Sequence, residues 1–289
     1  MMKNFEFSLQ FDFEKFVFEG KNLENSCVWV NEEKIQVLSL RGFFLTMHLP
    51  TKEIHIDLIQ PQPLRYKFSS CRLNDKLIIY GGCSLDEKTI FGDVLIFDIT
   101  EKNWMSFEVE FPPEPRFDHI VCMLHDFMII CGGIGKKGWL RDWHCFDLVA
   151  LEWAQIETLG YIPHVYSSFL IVPVNMALYM FGVYNNNSAF SNEFVKVQMQ
   201  EMVGTLENIK YPDNDICKVL NSTSTNSFLF ILGISRTGLK LFAYHPILQY
   251  FSIAVHNENL FGSVKSDEKY LIPYILNSEL IMLKIQKNS

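Results

Sequence analysis

The stretch Leu77-Ile78-Ile79-Tyr80-Gly81-Gly82 returns 51 positions later as Met128-Ile129-Ile130-Cys131-Gly132-Gly133, and this recurrence decides the fold. The surroundings recur with it. Pro63-Leu64-Arg65 precedes the first copy and Pro115-Arg116 the second, and each arginine lies 16 positions before the first glycine. Downstream, Asp93-Val94-Leu95-Ile96-Phe97-Asp98 and Trp104 match Asp142-Trp143-His144-Cys145-Phe146-Asp147 and Trp153, with the two aromatics 7 positions apart in both copies. Self-similarity at a fixed period marks a repeat architecture in which each unit buries its faces against its neighbours. A glycine pair closing an apolar run fits a strand end where a Cβ would collide with an adjacent backbone.

Fainter copies flank these two. Ile162-Pro163-His164 and Ala177-Leu178-Tyr179-Met180-Phe181-Gly182 keep the apolar run and one glycine. Phe228–Gly233 does so again, and Tyr244/Phe251 and Met47/Ile54 keep the 7-residue spacing. Gly82, Gly133, Gly182 and Gly233 thus fall at intervals of 51, 49 and 51, a repeat of about 50 residues. Units are expected near 24–60, 61–111, 112–160, 161–208, 209–256 and 257–287. The last is one strand short, and the alternating Phe5-Glu6-Phe7-Ser8-Leu9-Gln10-Phe11-Asp12-Phe13 is expected to supply that strand and close a ring. Phe181 and Leu232 stand where the first glycine of the pair would be, and the first unit has no glycine pair, so counts of five or seven stay open.

Composition agrees with a strand-rich globular chain. Of 289 residues 48% are hydrophobic, 14% aromatic and 20% charged, and apolar runs are short and punctuated by Gly, Asn, Asp or Pro. No run reaches the ~18 residues of a membrane span, and the N-terminus lacks the uninterrupted apolar core of a secretory signal. Seven cysteines, an odd number without a C-x-x-C pair, are expected to be reduced packing residues in a cytoplasmic or nuclear protein. A net charge of −8 argues against generic nucleic-acid binding, which draws its affinity from phosphate neutralisation.

A strand, an apolar strand ending in Gly-Gly, a strand ending in an aromatic and a strand bearing Trp together resemble the kelch repeat, the repeat of propellers such as the central domain of galactose oxidase. The resemblance implies an all-β fold, a six-bladed kelch-type β-propeller of four-stranded antiparallel blades, spanning 1–289 as one domain. It also implies that the loops between second and third strands, and those between blades, open on one face that binds proteins or peptides. On this chain that face collects segments around Arg65–Lys67, Cys83–Phe91, Arg116–Asp118, Ile134–Asp142, His164–Tyr166, Asn185–Asn192 and Ser235–Gly238. Arg65, Lys67, Lys88, Arg116, Asp118, Lys136, Lys137, Trp139, Arg141 and Tyr166 are the expected contacts. The loop Gly135-Lys136-Lys137-Gly138-Trp139-Leu140-Arg141 is the sharpest among them, because Arg and Trp anchor many interfaces. An acidic or phosphorylated peptide would complement it. The competing structural reading pairs Arg65 and Arg116 with blade carboxylates such as Asp98 or Asp147.

Asp118-His119 and His125-Asp126 invite a metal or acid–base reading, but His119 is expected to be structural and His125 to sit in a hairpin turn at the opposite end. No H-E-x-x-H, Walker A, strand-following G-x-G-x-x-G or G-x-S-x-G occurs. Asn185–Ser188 and Asn221–Asn226 read as polar turns, and their glycosylation sequons carry no meaning inside a cell. The expectation is a non-catalytic adaptor or scaffold with no metal or other cofactor. The rival is a kelch-propeller enzyme of oxidase, mutarotase or specifier type with a small-molecule site at the central channel. Kelch proteins are often fused to BTB, F-box or actin-associated modules. The chain leaves no room for one, so a role in a ubiquitin-ligase, cytoskeletal or signalling complex would come through a separate chain.

Overall fold

In the computed structural model, which describes residues 9–16, 26–30, 33–105, 109–161, 169–174, 177–186, 189–209, 216–224, 229–235, 238–247, 249–255, 269–276 and 279–287, every regular element is a β-strand. β1 (Leu9–Phe16) comes first. A first set follows: β2 (Ser26–Val30), β3 (Lys34–Ser39), β4 (Phe43–His48) and β5 (Ile54–Leu58). The second set is β6 (Ser69–Leu73), β7 (Lys76–Tyr80), β8 (Val94–Asp98) and β9 (Asn103–Met105). β10 (Ile120–Leu124) and β11 (Phe127–Cys131) lead to a small hairpin, β12 (Ile134–Gly135) and β13 (Gly138–Trp139), before β14 (Trp143–Asp147) and β15 (Glu152–Gly160) complete the third. β16 (Phe169–Val174), β17 (Ala177–Asn186), β18 (Ala189–Gln200) and β19 (Val203–Asn208) form the fourth. The fifth is β20 (Ile216–Ser224), β21 (Leu229–Ser235), β22 (Gly238–His245) and β23 (Tyr250–Val255), and β24 (Lys269–Leu276) and β25 (Glu279–Lys287) end the chain. Among the described residues no helix is long and apolar enough to cross a membrane.

Within each set the strands pair antiparallel in chain order. The first strands line up around a ring: β6 lies beside β10, β10 beside β16, β16 beside β20, β20 beside β24, and β24 beside β2. β1 pairs antiparallel with β25 from Leu9↔Lys287 to Phe16↔Leu280, so Leu9–Phe13 of the expected N-terminal strand join the C-terminal hairpin, the strand running on to Phe16, while Phe5–Ser8 lie outside the described residues. This is the arrangement of a β-propeller, whose radial repetition leaves only short strand edges. One feature has no counterpart in the sequence pattern. The outer strands β15 and β19 pair in parallel from Glu157↔Val203 to Gly160↔Leu206, merging the third and fourth sets into an eight-stranded sheet.

The core lies between blades. Strand periodicity sends alternate residues to opposite faces, and each face packs on a neighbour. Leu77, Ile79 and Phe97 meet Cys27, Leu38, Leu40 and Phe44 of the first set, whereas Ile78, Tyr80 and Ile96 meet Met128, Ile130 and Phe146 of the third. The 7-residue aromatic spacing is a cross-strand register. Phe97 faces Trp104 with ring centroids 5.1 Å apart, and Phe146 faces Trp153 at 5.0 Å. Met47↔Ile54 and Tyr244↔Phe251 are the same register in the first and fifth sets. The pairs then reach the preceding blade, Phe97 against Phe44 at 5.4 Å and Trp153 against Tyr80 at 5.1 Å. Each fully buried aromatic of this kind contributes roughly 1.5–3 kcal/mol of transfer free energy.

Gly81 and Gly82 adopt φ of 65° and 96°. A Cβ on Gly81 would stand 2.4 Å from the Arg116 carbonyl oxygen of the next blade, so the glycine pair is a requirement of blade packing. Where Phe181 and Leu232 replace the first glycine, that constraint is gone and the second and third strands run on. β17 and β18 pair out to Asn186↔Ala189, so Asn185–Asn192 is largely the end of a long hairpin and not an open loop. Of the expected polar turn Asn221–Asn226, Asn221–Ser224 belong to β20, paired with β21, and Thr225 and Asn226 lie outside the described residues.

Candidate protein-binding face

The second and third blades build one end of the ring from two copies of the same device. Arg65 Nη1 donates to the Gly81 carbonyl at 3.2 Å, and its guanidinium grips Asp93 through both carboxylate oxygens at 2.8 and 3.1 Å while lying 4.2 Å from the Phe91 ring centre. Arg116 repeats this on Gly132 at 3.0 Å and on Asp142 at 2.8 and 2.9 Å, and its Nε donates to the Glu114 carbonyl. Asp93 and Asp142 stand immediately before the third strands β8 and β14. Each arginine therefore ties the blade's entry to the end of its second strand and the start of its third. The bidentate geometry explains why arginine stands here, since lysine cannot make it. Arg116, together with the His144 ring 2.7 Å from Asp142, outweighs the partial burial of that carboxyl and holds it well below the usual carboxylate range.

This corrects two expectations. Arg65 and Arg116 are 1% and 0% exposed, so they hold the loops in place from beneath and present no surface to a partner. Their carboxylates are Asp93 and Asp142 rather than Asp98 and Asp147. The latter lie at the other end of the third strand, where each accepts two backbone N–H groups of the following turn, from Thr100 and Glu101 and from Val149 and Ala150.

The loops interlock above the clamps. Tyr66 bridges Cys83 and Phe117 bridges Ile134 as isolated antiparallel pairs, Gly82 N–H donates to the Arg116 carbonyl at 2.9 Å, and Asp118 N–H donates to the Lys67 carbonyl at 2.9 Å. The Lys67 ammonium lies 2.9 Å from Glu87, 3.3 Å from Asp118 and 5.1 Å from the Phe117 ring centre, and the Glu87 hydrogen bond is the main reason its pKa is raised. Lys88 lies 3.5 Å from Asp86. The basic concentration expected from sequence is therefore offset, residue by residue, by Asp86, Glu87, Asp93, Asp118 and Asp142. The charge that stands out is at the β12–β13 hairpin, where Lys136 and Lys137 form an exposed turn closed by Ile134↔Trp139. The base of that turn is fixed by Glu114, whose carboxylate accepts the Lys136 N–H at 3.1 Å. Trp139 is 49% exposed and Arg141 is exposed beside it. Tyr166 lies outside the described residues. Leu85, at the tip of the second blade's loop, is 76% exposed and was not among the expected contacts. Its signal was a single apolar residue inside the polar turn Cys83–Lys88.

His119 sits beneath this face, immediately before β10. It is buried with neither ring nitrogen hydrogen-bonded, packs edge-on against Tyr80 at 5.2 Å, and burial, aided by Arg116, depresses its pKa to about 3. It is a neutral packing group. His125 falls in the β10–β11 turn at the other end of the blade. Among the described residues no group of three or more His, Cys, Asp or Glu side chains is placed to hold a metal ion. What this face presents is a rigid, charge-mixed surface with an exposed indole, an exposed leucine and a two-lysine tip.

The family model for the KLHDC2/KLHL20/DRC7 Kelch-repeats domain matches residues 43–233. Adagio-like protein 1 of Oryza sativa subsp. japonica is 27% identical over 107 residues, 36% of this chain and 17% of that protein. Adagio protein 3 of Arabidopsis thaliana is 29% identical over 104 residues, 35% of this chain and 17% of its own length. Acyl-CoA-binding domain-containing protein 5 of Arabidopsis thaliana is 27% identical over 121 residues, 41% of this chain and 18% of that protein. The matched region thus spans less than a fifth of each of these relatives.

Proposed function

Because the chain belongs to the kelch-repeat family, we propose that it is a non-catalytic scaffold, one propeller domain acting in the cytoplasm or nucleus, that docks a protein or peptide on the loop face of its second and third blades. The observation that carries this reading is the β12–β13 hairpin. It displays Lys136, Lys137, Trp139 and Arg141 from a base locked by the Arg116–Asp142 clamp and by Glu114. A preorganised surface of this kind loses little conformational freedom on binding. Trp and Arg supply the contacts that most often dominate such interfaces. The partner surface that fits is acidic around an apolar contact: carboxylates or a phosphate against the lysines, and an apolar side chain against Trp139 or Leu85. A phosphorylated peptide satisfies both requirements. Membership of a ubiquitin-ligase, cytoskeletal or signalling assembly would follow from what that partner is.

The test is affinity capture from the native source with the wild-type chain and with Lys136→Glu/Lys137→Glu/Arg141→Glu, each first shown to be folded by circular dichroism. Loss of a specific, high-occupancy partner in the triple variant is expected. Undiminished recovery removes this hairpin from the interface, and stoichiometric copper or iron in the purified protein overturns the non-catalytic reading.

A further inference from the structure

The two ends of the third blade carry opposite chemistry. Lys136, Lys137, Trp139 and Arg141 stand exposed at the loop end. The other end is built from two turns, the one between β10 and β11 and the one between β14 and β15. Phe127 pairs with Asp147, and the Leu148 N–H donates to the Asp126 carbonyl at 3.0 Å, so the turns lie side by side. Phe127, Val149 and Leu151 are 38%, 78% and 38% exposed there, with Ala150 exposed between the last two. The carboxylates of Asp126 and Glu152 stand exposed at the margin of this apolar cluster. Residues 121–135 and 142–161 contain no lysine or arginine, so the positive charge of this blade is gathered at the loop end.

The fold does not ask for apolar residues at this end, as the second blade shows. That blade makes the same pair of turns. Its Ile99 N–H donates to the Asp75 carbonyl at 2.8 Å, and Asp98 accepts from Thr100 and Glu101 as Asp147 does from Val149 and Ala150. Lys102 and Leu151 both take a left-handed φ, 52° and 59°. Yet at the positions of Phe127, Val149, Ala150 and Leu151 the second blade carries Lys76, Thr100, Glu101 and Lys102. One turn geometry is thus met with polar residues in one blade and apolar residues in the next. Contiguous exposed apolar residues rimmed by charge mark a surface that meets another molecule.

We propose that this end of the third blade docks on the β12–β13 hairpin of a second copy of the chain, so that copies associate face to back. The hairpin fits carboxylates around an apolar contact, and the opposite end of the same blade presents that pattern. Asp126 and Glu152 complement Lys136, Lys137 and Arg141, while Phe127, Val149 and Leu151 offer the apolar contact for Trp139. The inference rests on the hairpin reading of the proposed function and adds a complementary site of its own. Because the two surfaces differ, the contact is heterologous, and one copy can be bound at both ends. A contact confined to two blade ends belongs with small, weak interfaces, under about 1,200 Å², and salt weakens its charged part. Another protein on the hairpin competes with the second copy.

Sedimentation velocity of the full chain, from about 1 μM to about 500 μM, tests this. Association that grows with concentration and weakens in high salt is expected. Lys136→Glu/Lys137→Glu and Val149→Lys/Glu152→Lys each set like charges across the contact, and each is expected to weaken association at least about tenfold. All four residues are exposed, so the variants leave the core intact, with circular dichroism as the check. An equimolar mixture of the two variants is expected to associate again, because each supplies the end that the other lost. Thr100→Lys, at the matching turn of the second blade, is expected to change nothing. A wild-type chain that stays monomeric over the whole range overturns the proposal, and so does association that survives either variant or a mixture that fails to associate. None of these results touches the hairpin reading itself, which falls only if the triple hairpin variant still recovers its partner in affinity capture.

Discussion

Replacing Arg116 by methionine separates a structural clamp from a binding residue. The side chain is 0% exposed and makes four hydrogen bonds, to the carbonyls of Glu114 and Gly132 and to both oxygens of Asp142. Methionine keeps much of the volume but leaves Asp142 as a partly buried carboxylate whose remaining side-chain partner is the His144 ring, and it orphans the Gly132 carbonyl. Breaking a buried pair on one side costs about 3–5 kcal/mol. For a domain of this size each kcal/mol moves the midpoint by ~2–4 °C, so the melting temperature should fall by roughly 6–20 °C. Arg65→Met should cost less, because Asp93 is 48% exposed against 29% for Asp142 and water can replace more of the lost contact. Arg116→Lys, which keeps the charge and loses the fork, should fall between methionine and wild type. Scanning calorimetry with guanidinium titration measures all three. If Arg116→Met changes stability by under about 1 kcal/mol, within the range of an ordinary surface substitution, the clamp is not what holds this face.

Two further outcomes follow from burial. His119 is neutral in the fold with a pKa depressed to about 3, whereas the unfolded chain takes up its proton near pH 6.5. Its contribution is therefore fully present above pH 6.5 and is lost as pH falls toward 3, about 2 kcal/mol of it between pH 7 and pH 5. His119→Phe should flatten that part of the stability profile, and an unchanged slope would contradict the assignment. Burial also pushes the thiols of Cys27 and Cys122 up to about 12. Site-resolved alkylation at pH 8 should leave both unmodified in native protein and modify both in guanidinium. Native-state labelling at the rate of a free thiol would contradict the packing described.

The face of the second and third blades was partly legible in the sequence because its signals are local and repeat. The Arg-to-Gly spacing of 16 is the clamp, the aromatic spacing of 7 is a cross-strand pair, and the glycine pair is the point where the next blade's backbone comes within reach. The roles were harder to read than the positions. Charged residues collected on one face look like a basic patch until their partners are located. Asp93 is 28 positions from Arg65 and Glu87 is 20 from Lys67, and nothing in the spacing says that they meet.

By itself the sequence determined the repeat, the strand alternation and the N-terminal strand as the piece that joins the last hairpin, because these depend on side-chain periodicity and on backbone freedom at glycine. Only the tertiary structure decided which arginines face inward, that the third and fourth blades share a parallel edge, that Asn221–Ser224 lies in a strand, and that Ile54, Ile56 and Leu58 stand exposed on the outermost strand of the first blade. Each of those depends on which chemically similar group lies across a gap between blades. Sequence distance does not encode that, because the ring brings together residues from different repeats.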